Sequence, residues 1–313
     1  MILEQPACVT LAKARKVLFV GAGGGYDIFG AVPLAIELLD AGKAVHFAGV
    51  TFTSVSLLPG ASASADHPQL YPIGPGHAVH DRYCPEAWLA RWLERERAYR
   101  EPLWLLKKCG VRPATAAYEW LIRSLEADAV VLVDGGIDVL LKGNETSIGT
   151  PVEDLCSLAA LSSIPAPHRL VACLGFGTEL RDGIRHAQVL ERIAELTRIG
   201  AQRGTAMLDA ASPAGTAYRE ALEFTFANQA GQKLSHVHST ILASLRGEFG
   251  GAEADIWVSP LTSLYWFFDL AEVARTHVFL PHLRETESIF DATAVIRECR
   301  KAVPARPPTD IPL

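Results

Sequence analysis

Carboxylates stand beside glycines at three points of this chain, and that pairing sets the chemical question. Asp27 follows Gly23, Gly24 and Gly25 in "GAGGGYDIFGA". Asp134 and Asp138 flank Gly135 and Gly136 in "VDGGIDVLLKG", and Glu179 follows Gly177 and Thr178 in "LGFGTELRDG". Glycine lets a backbone turn tightly and approach a ligand closely. A carboxylate at the end of a buried strand is unfavourable unless it is hydrogen-bonded or faces a cation or ligand. Together they describe a site for a small, hydroxyl-rich molecule. One carboxylate can activate water as general base, while others hold hydroxyls or stabilise positive charge developing on a sugar carbon. On this reading Asp134 is the base, and Asp27 and Asp138 hold hydroxyls or a magnesium ion. The Gly23–Gly25 amides, next to a helix start, would receive a phosphate. Gly135, Gly136, Gly177, Thr178 and Glu179 would line the same cleft.

Other polar residues carry competing readings. Glu145 belongs to a polar cluster with Lys142 and Asn144 that could line the cleft. Arg284, in "LPHLRETES", is a candidate anion clamp, because guanidinium holds phosphate or carboxylate bidentately; it also suits a solvated helix-start loop. Asp27 could instead cap the helix that follows it. "GTPVED" reads as a helix start, with Thr150 as cap, Pro151 at the first position and Glu153 at the third. That gives Glu153 a structural role. Asp209 ends a strand, and Ser212 is a helix cap. His236 and His238, two apart, cannot share a helix face. A two-histidine metal pair is therefore disfavoured, though one of them can serve as an acid/base group near the cleft.

Several functions are disfavoured. The dinucleotide spacing GxGxxG fails because Tyr26 stands where its last glycine belongs. The second strand candidate runs into "AGVTFTS" and offers no carboxylate for a ribose. NAD is thus an unlikely cofactor. GxxxxGK[ST], GxSxG and HExxH are absent. The net charge of -6, without a strongly basic stretch, argues against nucleic acid as a partner. None of the six cysteines forms a CxxC pair, which disfavours zinc and disulfide frameworks. The start of the chain lacks a signal-peptide pattern, and no apolar run reaches membrane-span length. A cytoplasmic protein is expected.

These residues must be held by an α/β scaffold. Apolar strand candidates lie at Val17–Val20, Val45–Val50, Ala129–Val133, Arg169–Leu174, Thr205–Leu208, Asp255–Val258 and His277–Leu280. Helical patterns alternate with them, among them Ala31–Leu39, Pro85–Leu106, His236–Leu245 and Leu261–Ala274. Nearly continuous apolar strands indicate a sheet covered on both faces. The expected fold is a single domain over 1–313: a doubly wound, mostly parallel, Rossmann-like sheet of about seven strands. Residues 53–113 break the rhythm and are expected to form a helical insertion. Its aromatics Trp88, Trp92, Tyr99 and Trp104 suit a core or homodimer face, or a lid over the ligand. The proline-rich "PARPPTDIPL" is expected to be extended.

The motifs "GAGGGYDIFGA", "VDGGIDVLLKGNETSIGTPVEDLCSLAAL" and "LGFGTE" resemble domain-of-unknown-function family 1152. The resemblance covers most of the chain. It makes Gly23, Gly24, Gly25, Asp27, Asp134, Gly135, Gly136, Asp138, Glu145 and Asp154 shared positions, and it implies that the two acidic motifs form one site. It supplies no reaction. The sequence therefore predicts a hydrolase or group transferase acting on a nucleoside, nucleotide or sugar phosphate. A nicotinamide-dependent oxidoreductase and a non-catalytic ligand-binding or oligomeric protein are the alternatives.

Overall fold

The computed structural model describes residues 4–149, 151–229, 231–253 and 256–309. Its strands, in chain order, are β1 (Lys16–Gly24), β2 (Ala44–Val50), β3 (Leu70–Ile73), β4 (Leu103–Leu106), β5 (Ala129–Asp134), β6 (His168–Cys173), β7 (Gln202–Met207), β8 (Gly250–Glu253), β9 (Ile256–Val258) and β10 (Leu264–Asp269). Eight of them form one sheet in the order β3-β4-β2-β1-β5-β6-β10-β7, and β8 and β9 form a separate hairpin. Strands β4, β2, β1, β5 and β6 run parallel, while β3 and β10 run against their neighbours.

The strand sequences explain the layering. Side chains alternate across a strand. Leu18 and Val20 of β1 and Val130 and Leu132 of β5 point into one core. Val17 and Phe19 of β1 and Val131 and Val133 of β5 point into another. Helices cover both. They are α1 (Pro6–Lys13), α2 (Val32–Asp40), α3 (Pro85–Arg97), α4 (Val111–Ser124), α5 (Pro151–Ser163), α6 (His186–Arg198), α7 (Pro213–Asn228), α8 (His236–Leu245), α9 (Leu270–Thr276), α10 (Leu280–Leu283) and α11 (Ile289–Ala302). Helices α4, α5, α6, α9 and α11 close the first core, and α1, α2, α3, α7 and α8 close the second. Phe19 is wholly buried. Truncating such a residue to alanine costs about 3–5 kcal/mol.

The α/β reading holds, with several local corrections. The long helix expected over Pro85–Leu106 ends early: Ala98 takes a left-handed conformation (φ 52°) after α3. The chain then extends into β4, whose Leu103–Leu106 pair with both β2 and β3. Residues 53–113 therefore supply two strands of the sheet edge as well as a helix. The expected helix Leu261–Ala274 is instead a short 3-10 turn, strand β10, and then α9. Asp269 starts α9 by accepting the Glu272 amide at 3.2 Å. Asp269 also separates an aromatic run, "LYWFFD", from the helix, and such residues favour a strand. The strand expected at His277–Leu280 is a turn entering α10. Thr150 and Asp255 lie outside the described residues. The described part of the second, β9, belongs to the hairpin. Trp88 and Trp92 are core residues, each 1% exposed. Among the described residues, no helix is long and apolar enough to cross a membrane.

Candidate functional site

Strand order fixes where the motifs meet. From β1 the chain winds outward through β2 to one side, and from β5 through β6 to the other. The order reverses between β1 and β5, which are directly paired. In open α/β sheets, the crevice beyond the carboxyl ends of the strands at this reversal is the usual ligand position. The "GGGYD" turn leaves β1 here, "DGGID" leaves β5, and "LGFGTE" leaves the neighbouring β6.

The first turn is built around Asp27. Gly25 has φ of 71°, a conformation that disfavours side chains. The chain then enters a 3-10 turn at Asp27–Ala31. Asp27 reaches back, and its Oδ2 accepts the Gly23 amide at 2.7 Å. That amide is consequently taken and is not free to receive a ligand. A Cβ added to Gly23 would stand 2.6 Å from both Asp27 Oδ2 and Asp154 Oδ1. Asp154 arrives from the first turn of α5.

The second turn closes onto the first. A Cβ on Gly135 would lie 3.0 Å from Asp27 Oδ1 and 3.1 Å from His238 Nε2. On Gly136 it would lie 3.3 Å from Asp138 Oδ1 and 3.4 Å from Asp134 Oδ1. Asp134 accepts the Val139 amide at 3.1 Å. In the third turn, Glu179 accepts the Gly177 amide at 3.0 Å. Thr178 donates to Gly175 O at 2.8 Å. A cavity of about 800 Å³ joins these turns, with Asp27, Asp134, Asp138, Glu153, Asp154 and Glu179 in its walls. Gly23, Gly24, Gly135, Gly136 and Thr178 line it too.

The electrostatics of this cavity are one-sided. Glu153 pairs with Lys108 at 2.8 Å. Among the described residues no lysine or arginine pairs with Asp27, Asp134, Asp154 or Glu179. Burial raises Asp27 to about 7, aided by the Asp138, Glu153 and Glu86 charges and opposed by the Gly23 amide. Burial likewise raises Glu179 to about 8, with Asp138 adding to it. Burial, then the Asp138 and Asp27 charges, lift Asp134 well above the carboxylate range. Asp154 is lifted by burial and by Asp138, Asp134 and Asp27. Asp27, Asp134 and Asp154 lie close enough for the charge of each to shift the others. Asp134 is only 2% exposed, and burial favours its neutral form. Asp27 is half-buried and opens into the cavity, so it is the better placed proton carrier. Among the described residues, no group of three His, Cys, Asp or Glu side chains is arranged to hold a metal ion.

His238 locks the turns together. Its Nε2 lies 2.7 Å from Tyr26 O, and its Nδ1 lies 2.6 Å from Tyr218 Oη. Burial lowers its pKa to about 4, so the ring is neutral. With a backbone carbonyl at Nε2, that nitrogen carries the proton and Nδ1 accepts from Tyr218. The two histidines of α8 do face differently: His238 is in the core and His236 is at the cavity.

Not every candidate reaches this cavity. Glu145 is fully buried outside it, accepting the Lys142 amide at 2.9 Å and the Gly143 amide at 2.8 Å. Arg284 is exposed just after α10 and away from the cavity. Asp209 bonds its own loop, at Ala211 N, 2.9 Å away. Ser212 caps α7 as expected, accepting from Gly215 N at 3.0 Å. Sequence reasoning passed over Phe52 and Tyr83 on one wall and Arg181 and Lys233 in the lining. Phe52 follows β2 directly, so its place after a strand was the available signal. Tyr83 and Lys233 lie in loops whose spacing carries none.

A doubly wound α/β protein with a carboxylate-lined cleft at its strand-order reversal is the class that fold and site define. The sequence profile of the family described as protein of unknown function (DUF1152) matches residues 18–302, and the chain belongs to that family. No curated protein and no solved structure matches it.

Proposed function

We propose that this protein is a hydrolase or group transferase acting on a hydroxyl-rich small metabolite of the nucleoside or sugar class. One observation carries the reading: the acidic ends of β1, β5 and β6 converge on one cavity in which, among the described residues, four carboxyls have no cationic partner. Protonated carboxyls donate to hydroxyl or leaving-group oxygens, and ionised ones accept from hydroxyls or activate water. A cavity whose groups straddle neutrality supplies both at once. Asp27 is the acid/base residue, Asp138 assists from the half-buried rim, and Asp134 and Asp154 hold hydroxyls. Positive charge developing at a glycosidic carbon is stabilised by the acidic floor.

The same floor repels phosphate. Unphosphorylated nucleosides and glycosides are therefore favoured over nucleotides. A phosphate, where present, sits toward Arg181 and Lys233 and away from the glycine turns.

A thermal-shift screen of nucleosides, nucleotides and sugar phosphates, with and without magnesium, tests this, because binding to the native state raises the melting temperature. Hits are then assayed for product. The expected result is a response to neutral nucleosides or glycosides that Asp27→Asn and Asp134→Asn both lose. Ligand responses unchanged in both variants would overturn the assignment of the cavity.

A further inference from the structure

We propose that Glu145 and Arg306 are positioning residues which, from outside the cavity, fix the 142–149 loop and thereby the places of Asp138 and Asp154. The loop lies within the stretch of chain that joins these two aspartates. It also touches the cavity walls directly. A Cβ on Gly149, at φ of 65°, would fall onto Asp138 Oδ2, so the loop backbone lies against that carboxylate. Ser147 donates to the carbonyl of Asp182, another lining residue.

The rear of the loop is clamped. Glu145 gathers the Lys142 and Gly143 amides onto one buried carboxylate. Arg300 donates to Gly143 O at 3.2 Å and to Thr146 O at 2.8 Å. The extended segment after α11 then crosses the loop. Arg306 N donates to Asn144 O at 2.6 Å, and Gln188 Nε2 donates to Arg306 O at 3.2 Å. The Arg306 guanidinium lies 3.8 Å from Glu145, 3.3 Å from Glu191 and 3.1 Å from Glu195. Its Nη1 donates a charge-assisted hydrogen bond to Glu195 on α6, while the Arg306 backbone holds the loop and its guanidinium faces Glu145 as an ion pair. Glu145 is buried without reaching the cavity, and this clamp accounts for it.

The consequence is electrostatic as well as steric. The Asp138 charge helps to raise Asp27, Asp134, Asp154 and Glu179. A loop that recedes lets Asp138 move and weakens that contribution, so the cavity carboxyls, still raised by burial, fall part of the way back.

The test uses the full chain and needs no ligand. Arg306→Ala, Arg306→Lys and Glu145→Gln are compared with Arg219→Ala, which removes an exposed pair on α7. Two quantities are read by NMR: amide hydrogen exchange at residues 138–149, and the titration midpoint of the Asp27 carboxyl. In Arg306→Ala, exchange in the loop should accelerate about tenfold or more, and the Asp27 midpoint should fall. Arg306→Lys should restore most of both, and Arg219→Ala should move neither. Acceleration confined to 304–309, with Asp27 titrating as in the unaltered protein, would overturn the proposal. Should Arg306→Ala fail to fold, Glu145→Gln keeps size and an acceptor oxygen, and the same two readings decide. Neither reading depends on the reaction proposed above, so either idea can fail alone.

Discussion

Two acidic clusters lie on either side of the 142–149 loop, and they are built on opposite plans. Behind the loop, Glu191 and Glu195 meet Arg306, and Lys142 and Arg192 lie against Glu195. Partial burial alone would raise Glu195, but Lys142, Arg306 and Arg192 outweigh it and hold its carboxyl below the usual range. In front, the floor formed by Asp27, Asp134, Asp154 and Glu179 has glycine amides and other carboxyls for neighbours, and its groups are raised. The residue types are similar and the difference lies in the counter-charges. A cluster with matched charges holds structure together. A cluster without them carries an electrostatic debt that a ligand can relieve, which is the basis for proposing a functional site there.

The contrast breaks most visibly in activity. Asp27→Asn should lower turnover about 10²–10⁴-fold, measured as kcat on the nucleoside that gives the largest thermal shift, while Glu195→Gln, which acts only through the loop clamp, should lower it far less. Stability should move the other way. Glu195→Gln takes a charge from a guanidinium, Arg192, that is 1% exposed, and should cost about 1–3 kcal/mol in urea unfolding. Asp154→Asn removes like-charge repulsion and should gain about 0.5–2 kcal/mol at pH 8. A loss there would show that the floor is structural.

The pH dependence sharpens the same point. Folded values of about 7 for Asp27 and 8 for Glu179 exceed their unfolded values, so the native state binds more protons between about pH 4 and pH 8. Their contribution is fully present below pH 4 and disappears as pH rises through 7 to 8. Glu195 behaves oppositely: its contribution is present above the ordinary carboxyl range and is lost as pH falls below it. Asp27→Asn should therefore flatten the decline of melting temperature between pH 5 and pH 8, and an unchanged slope would remove Asp27 from the titrating set. The smallest effect expected is for Tyr218→Phe, about 1 kcal/mol. It deletes one hydrogen bond to His238 while leaving the bond to Tyr26 O, as a shift in urea midpoint would show.

Much of the front cluster was legible in the residues. Glycines followed by aspartate after an apolar strand mark a strand end where the backbone must turn and a carboxylate must be accommodated. Parallel topology then brings two such ends together. What was hidden depended on partners far away in sequence. Nothing local distinguishes Glu145, which faces Arg306, from Glu179, which faces the cavity. The proposed order of acid and base among Asp27 and Asp134 rests on exposure, which spacing does not encode. In the fold, "LWLL" and "LYWFFD" were absorbed into neighbouring helical patterns because short aromatic-apolar runs satisfy both periodicities. Only their strand partners, Phe47–Val50 for the first and Leu170–Cys173 for the second, decide between them.

Strand β10 also imposes an order on assembly. It lies between β6 and β7, and β7 pairs with no other strand among the described residues. On a ribosome, β7 is made before α7 and α8 and can rest against α1, but it has no strand to pair with until β10 emerges and aligns against β6. Until then the growing chain carries an open edge at β6 and a stranded β7. Such edges invite pairing with other chains, so this half of the sheet is where nascent molecules would need shielding.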